Sequence, residues 1–202
     1  MTFIETGTFH GAGIKAALMT GFDRVVSIEC VREFHDECSG RFASEIGEKK
    51  VELRLGDSAE ELPAMVPSMK GPRLYWLDAH FQGVDGEFEA ANCPLTAEIE
   101  AVIASRHPDD VIMIDDMRLL RRPAAWRGHK VEIDAVLGRL MNAYTDHVAL
   151  FLDAANQSEH TRRDIFTLFP AHLAGQFFAK FPGGRDEAAI KAKAERELAA
   201  TA

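Results

Sequence analysis

The feature that most constrains this chain is a short apolar run, often closed by an acidic residue, that recurs with helical stretches between its copies. Arg24-Val25-Val26-Ser27-Ile28 leads into Glu29, Arg73-Leu74-Tyr75-Trp76-Leu77 into Asp78, and Asp110 to Ile114 into Asp115 and Asp116. Continuous apolar runs of strand length mark strands that are covered on both faces, and their alternation with helices is the pattern of βα units. Phe3-Ile4 and Val51 to Leu55 supply two further strands, and His147 to Leu152 and Asp164 to Phe169 the last two. Helical patterns fall at Ile14 to Met19, Thr96 to Ser105 and Val131 to Ala143. Only Ala154 to Arg163 separates the last two runs, too little for a crossover helix, so these strands form an antiparallel hairpin. The expected fold class is α/β, a mostly parallel seven-stranded sheet with helices on both faces and a C-terminal antiparallel hairpin.

With 202 residues and 47% apolar content the chain suits one domain, expected over residues 1–182, with an Ala-, Glu- and Lys-rich tail over 183–202 that is helical or disordered. The opening residues include Glu5, His10 and Lys15, and no window approaches eighteen apolar residues, so neither a signal peptide nor a membrane span is expected. Cys30, Cys38 and Cys93 form no paired framework, which fits a cytoplasmic location. A net charge of -9 opposes nucleic-acid binding outside a local basic patch. The dense patch runs from Arg118 through Arg121, Arg122, Arg127 and His129 to Lys130.

Ligands of open parallel sheets bind outside the carboxyl ends of the strands, which directs attention to Glu5, Glu29, Asp57, Asp78, Asp115 and Asp116. Six carboxylates at one edge repel one another unless a hydroxylated, cationic or metallic ligand joins them; the alternative is that they cap helices. Glu5-Thr6-Gly7-Thr8-Phe9-His10-Gly11 departs from the dinucleotide pattern G-x-G-x-x-G, since its features are an acid before the first glycine and a second glycine four residues later.

Glu5 to Gly11 resembles the E-x-G-x-x-x-G turn of class I S-adenosylmethionine (SAM)-dependent methyltransferases, particularly metal-dependent small-molecule O-methyltransferases related to the catechol and caffeoyl-CoA enzymes. Ser27-Ile28-Glu29 resembles their acidic end of strand two, and Gly56-Asp57-Ser58 the segment beside the adenine, over a likeness of roughly residues 3 to 170. The resemblance implies a Rossmann-like sheet and a cofactor site at Glu5, Gly7, Phe9, Gly11, Glu29, Asp57, Ser58 and Asp78, with Glu29 taking the ribose hydroxyls. It also implies carboxylates after strands four and five, here Asp78, Asp115 and Asp116. Departures are the early first strand, without the helices that shape the acceptor pocket in those enzymes, and the missing base lysine. Asp78-Ala79-His80 is closer to the Asp-x-His found after strand four in some sugar and antibiotic O-methyltransferases.

Asp78, Asp115 and Asp116 offer the oxygen ligands that Mg²⁺ prefers, and a metal there would lower the pKa of an acceptor hydroxyl; the bland reading makes Asp115 a helix cap and leaves Asp116 in solvent. His80, which titrates near neutrality, is the candidate general base, with Asp78 beside it in the catalytic pair and His10 as second candidate. The basic stretch is either a solvated loop or a patch that attracts a phosphorylated or carboxylated acceptor. The expected function is methyl transfer from SAM to a hydroxyl of a small molecule, aided by a divalent ion. The rivals are a metal-dependent hydrolase, a non-catalytic SAM-binding module and a nicotinamide oxidoreductase. The acceptor's identity and the oligomeric state, a homodimer included, stay open.

Overall fold

The computed structural model describes residues 1–79, 93–121, 132–153 and 163–176. The strands are β1 Thr2–Thr6, β2 Arg24–Glu29, β3 Val51–Leu55, β4 Arg73–Leu77, β5 Val111–Ile114, β6 His147–Leu152 and β7 Ile165–Pro170. The α-helices are α1 Ala12–Met19, α2 Arg32–Arg41, α3 Ala43–Gly47, α4 Ser58–Met65, α5 Leu95–Ala104, α6 Met117–Leu120 and α7 Ile133–Ala143. The strands form one sheet in the order β3-β2-β1-β4-β5-β7-β6. All neighbours are parallel except β7, which runs antiparallel to β5 on one side and to β6 on the other. The hairpin expected from the short connection is therefore present, with its returning strand inserted beside β5.

Adjacent residues of each central strand serve opposite faces, as strand geometry requires. Ile4, Val26, Tyr75, Ile112 and Leu168 join the core under α4, α5 and α7. Phe3, Val25 and Val51 join the smaller core under α1 and α2 with Ile14, Ala17, Cys38 and Phe42. Helices on both faces explain why these strands read as unbroken apolar runs.

At the amino ends of β4 and β5 the sheet is tied by a buried ion pair. Arg73 donates through its backbone N–H and Nε to Asp110 Oδ1 at 2.9 and 3.0 Å, and through a terminal nitrogen to Oδ2 at 2.8 Å. The N–H of His107 and the hydroxyl of Tyr144 also donate to this carboxylate, at 2.8 and 2.9 Å. The pair lies at the end of the sheet away from the carboxyl rim and so belongs to the scaffold.

β1 is longer than Phe3-Ile4, so Glu5 and Thr6 belong to the strand itself. α5 and α7 fall where their apolar periodicity places them. The expected boundary at residue 182 and the tail lie outside the described residues. Among the described residues, no helix is long and apolar enough to cross a membrane.

Candidate functional site

Strand register assembles the rim. Glu5 pairs with Ser27 and Thr6 with Ile28 on one side, and Thr6 with Leu77 and Leu77 with Ile114 on the other. The residues that follow, Gly7, Glu29, Asp78 and Asp115, therefore emerge along one edge, with Asp57 just past β3.

Glu5 is buried beneath the glycine turn. Ser27 Oγ donates to its Oε2 at 2.6 Å and, with its hydrogen so engaged, accepts one from Thr8 Oγ1 at 2.6 Å. Burial lifts the Glu5 pKa to about 8 against the pull of Ser27, and the nearby Asp78 and Glu29 charges push it the same way. Two glycines make the close packing here feasible. A Cβ on Gly13 would lie 1.6 Å from Glu5 Oε1, and one on Gly7, whose φ is +82°, would lie 2.6 Å from the carbonyl oxygen of Asp78. Phe9 at the tip of the turn also has positive φ, and its ring is exposed, packed edge-on against Phe34.

Glu29 is a strut as well as a rim acid. Its Oε2 accepts the N–H of Phe9 at 2.8 Å and its Oε1 the N–H of Val31 at 2.8 Å, which fastens the glycine turn to the segment opening α2. Each carboxylate oxygen has a second lone pair for another donor. Asp57 caps α4, its Oδ1 accepting the Ala59 N–H at 2.8 Å, so for this acid the capping alternative holds. Next to it Ser58 is buried. Close by is an acid that sequence reading passed over, Glu98 of α5, which is fully buried, with neither oxygen hydrogen-bonded among the described residues. Burial raises its pKa to about 7, while the Ser58 and Thr6 hydroxyls pull the other way. It went unnoticed because it sits inside an amphipathic helix, far in sequence from any strand end.

Around β5 the acids crowd. Asp115, Asp116 and Asp164 each place a ligand atom within 4.8 Å of the others. Asp78, expected as the third member, stands beside this group: burial, then the charges of Asp115 and Asp116, raise its pKa to about 7. Asp115 is raised too, by burial first. Asp115 Oδ1 accepts the N–H of Asp116 at 2.7 Å, and Asp116, in the left-handed region at φ 56°, is buried. Neither half of the bland reading holds, since Asp115 caps no helix and Asp116 does not face solvent. Arg118 pairs with Asp116 at 2.6 Å and with Asp164, whose Oδ1 also takes the Arg118 N–H at 2.7 Å. Asp164 precedes its strand and so carries no strand-end signal in the sequence; β7 runs antiparallel to β5, which brings the residue before it to this rim.

His80 lies outside the described residues, as do Arg122, Arg127, His129 and Lys130. His10 is in contact with Glu37, Nδ1 to Oε2 at 2.9 Å, on the outside of the turn, and this contact suits a structural role.

No family model matches the chain, and no curated protein matches it in sequence. Solved structures do. An O-methyltransferase from Bacillus cereus in complex with SAH superposes with a TM-score of 0.55 at 19% identity, covering 83% of this chain and 72% of that one. The O-methyltransferase TomG from Streptomyces achromogenes, involved in tomaymycin synthesis and in complex with SAM, gives 0.53 at 19% identity over 84% and 72%. An rRNA methylase from Streptococcus thermophilus gives 0.50 at 17% identity over 84% and 86%. Strand order, the inserted antiparallel strand and these superpositions agree: the chain has the Rossmann-like fold of the class I SAM-dependent methyltransferases.

Proposed function

We propose that the chain is a SAM-dependent methyltransferase. The observation that carries this reading is Glu29, at the end of β2, with one oxygen anchored to the backbone N–H of Phe9 in the glycine turn and the other to that of Val31 ahead of α2. A carboxylate so fixed is preorganised to accept from two neighbouring hydroxyls, the chemistry a ribose presents. Gly7 and Gly11, at φ +82° and +74°, let the turn close tightly against Asp78 and Phe42, and the acids of the rim suit a cation. SAM, when bound, supplies a methyl group on a positively charged sulfur. Calorimetric titration tests the reading: saturable binding of SAM and of SAH in the micromolar range is expected, and no heat at millimolar ligand would overturn it.

Within this reading we take the acceptor to be a hydroxyl of a small molecule and the chemistry to be metal-assisted. His80 takes the hydroxyl proton, since its ordinary pKa suits proton transfer near neutrality. The donor set for a divalent ion is all oxygen, as Mg²⁺ requires. Arg118 already serves Asp116 and Asp164, which leaves Asp78 and Asp115, the two with raised pKa values, as the ligands that would hold the ion. Crowding of these acids is what a bound cation would relieve. Treatment with EDTA should then abolish turnover and Mg²⁺ restore it; turnover at the original rate after chelation would leave the two aspartates as acceptor-binding groups.

A further inference from the structure

Helix α5 buries Leu95, Glu98, Ile99, Ala101 and Val102. Spaced three and four apart, Leu95, Glu98, Ile99 and Val102 form one stripe of the helix, in which Glu98 alone is polar. Its three companions belong to the main core. An acid in that place is costly, because Glu98 is fully buried and, among the described residues, neither of its oxygens accepts a hydrogen bond.

Two hydroxyls, those of Ser58 and Thr6, stand near enough to act on its charge, though neither closes on it. Ser58 opens α4 directly after the cap Asp57. Thr6 ends β1 between Ile28 and Leu77, the residues before Glu29 and Asp78, and its Oγ1 accepts the N–H of Asp78 at 3.3 Å. A hydroxyl that accepts on one side can still donate on another, and for Thr6 the nearby acceptor is Glu98. Hydrogen bonds of a site are often long before its ligand arrives and shorten in the complex. We propose that Glu98 is a positioning residue of the cofactor site: when cofactor binds, its two oxygens take the hydroxyl hydrogens of Ser58 and Thr6, which fixes the turn between β3 and α4 and, through Thr6, the backbone of Asp78. The role rests on the methyltransferase reading.

SAH titration and melting curves of the full chain at pH 8 test this. Glu98→Met fills similar space without a polar group, so it should melt roughly 3 to 10 °C higher than the parent yet bind SAH about five- to thirtyfold more weakly. Glu98→Gln keeps one acceptor and should lose less affinity. Ser58→Ala should weaken SAH binding in the parent and much less in the Glu98→Met background, because the two residues act as a unit. A residue that only supports the fold would lower the melting temperature and the affinity together. That outcome, SAH affinity unchanged in both Glu98 variants, or full additivity with Ser58→Ala would overturn the proposal. Parental SAH binding with insensitive variants removes the proposal alone, whereas a parent that binds no SAH removes the methyltransferase reading and the proposal with it.

Discussion

Single residues in this rim have tasks that differ with their surroundings. Glu5, Glu29 and Asp57 are all acids beside strand ends, yet one is pushed up to a pKa of about 8 by burial, one braces two turns, and one caps a helix. The places of Glu5, Gly7, Glu29 and Asp78 along this rim were legible from order along the chain, because each directly follows or closes an apolar run. Glu98 and Asp164 were not, since one is hidden within a helix and the other precedes a strand whose direction the sequence pattern did not connect to this rim. The role proposed for His80 as general base predicts that replacement by alanine lowers kcat by about 10² to 10⁴ while SAM affinity stays constant. Steady-state kinetics beside calorimetry separates the two; a rate within a few-fold of the parent would pass the role to a metal or to His10.

At the level of elements, β4 and β5 position Asp78, Asp115 and Asp116, and the clamp at their opposite ends ties the two strands together. Arg73 and Asp110 are almost wholly buried, and Asp110 accepts from Arg73, His107 and Tyr144. Arg73→Met leaves that carboxylate charged without its cation and should cost about 3 to 5 kcal/mol, measured by denaturant unfolding. A double replacement, Arg73→Met with Asp110→Leu, should recover part of the loss, because no unpaired buried charge remains. A single variant as stable as the parent would show the clamp to be inert. The strands themselves were readable from their apolar runs. Residues 32–47 were not resolved into α2 and α3 by their pattern, because α2 is polar over most of its surface and buries only Cys38.

For the molecule as a whole, the concentration of acids at one rim makes stability depend on pH. Glu5 and Glu98 have folded pKa values raised to about 8 and about 7 from 4.5. The folded protein thus holds protons that the unfolded chain has released, and the contribution of these groups is present below pH 4.5 and lost as pH rises through 7 to 8. Glu5→Gln cannot ionise, so its melting temperature relative to the parent should climb between pH 5 and pH 8.5; a constant or shrinking difference would show that Glu5 is ionised in the fold. The central claim, that this rim binds SAM through Glu29, is tested most directly by calorimetry on the parent and on Glu29→Ala, with melting curves of both as a control for the lost strut. The account predicts micromolar SAM binding in the parent, weakened by about 1.5 to 3 kcal/mol in the variant. Unchanged SAM affinity in Glu29→Ala, or tighter binding of NAD than of SAM by the parent, would contradict it.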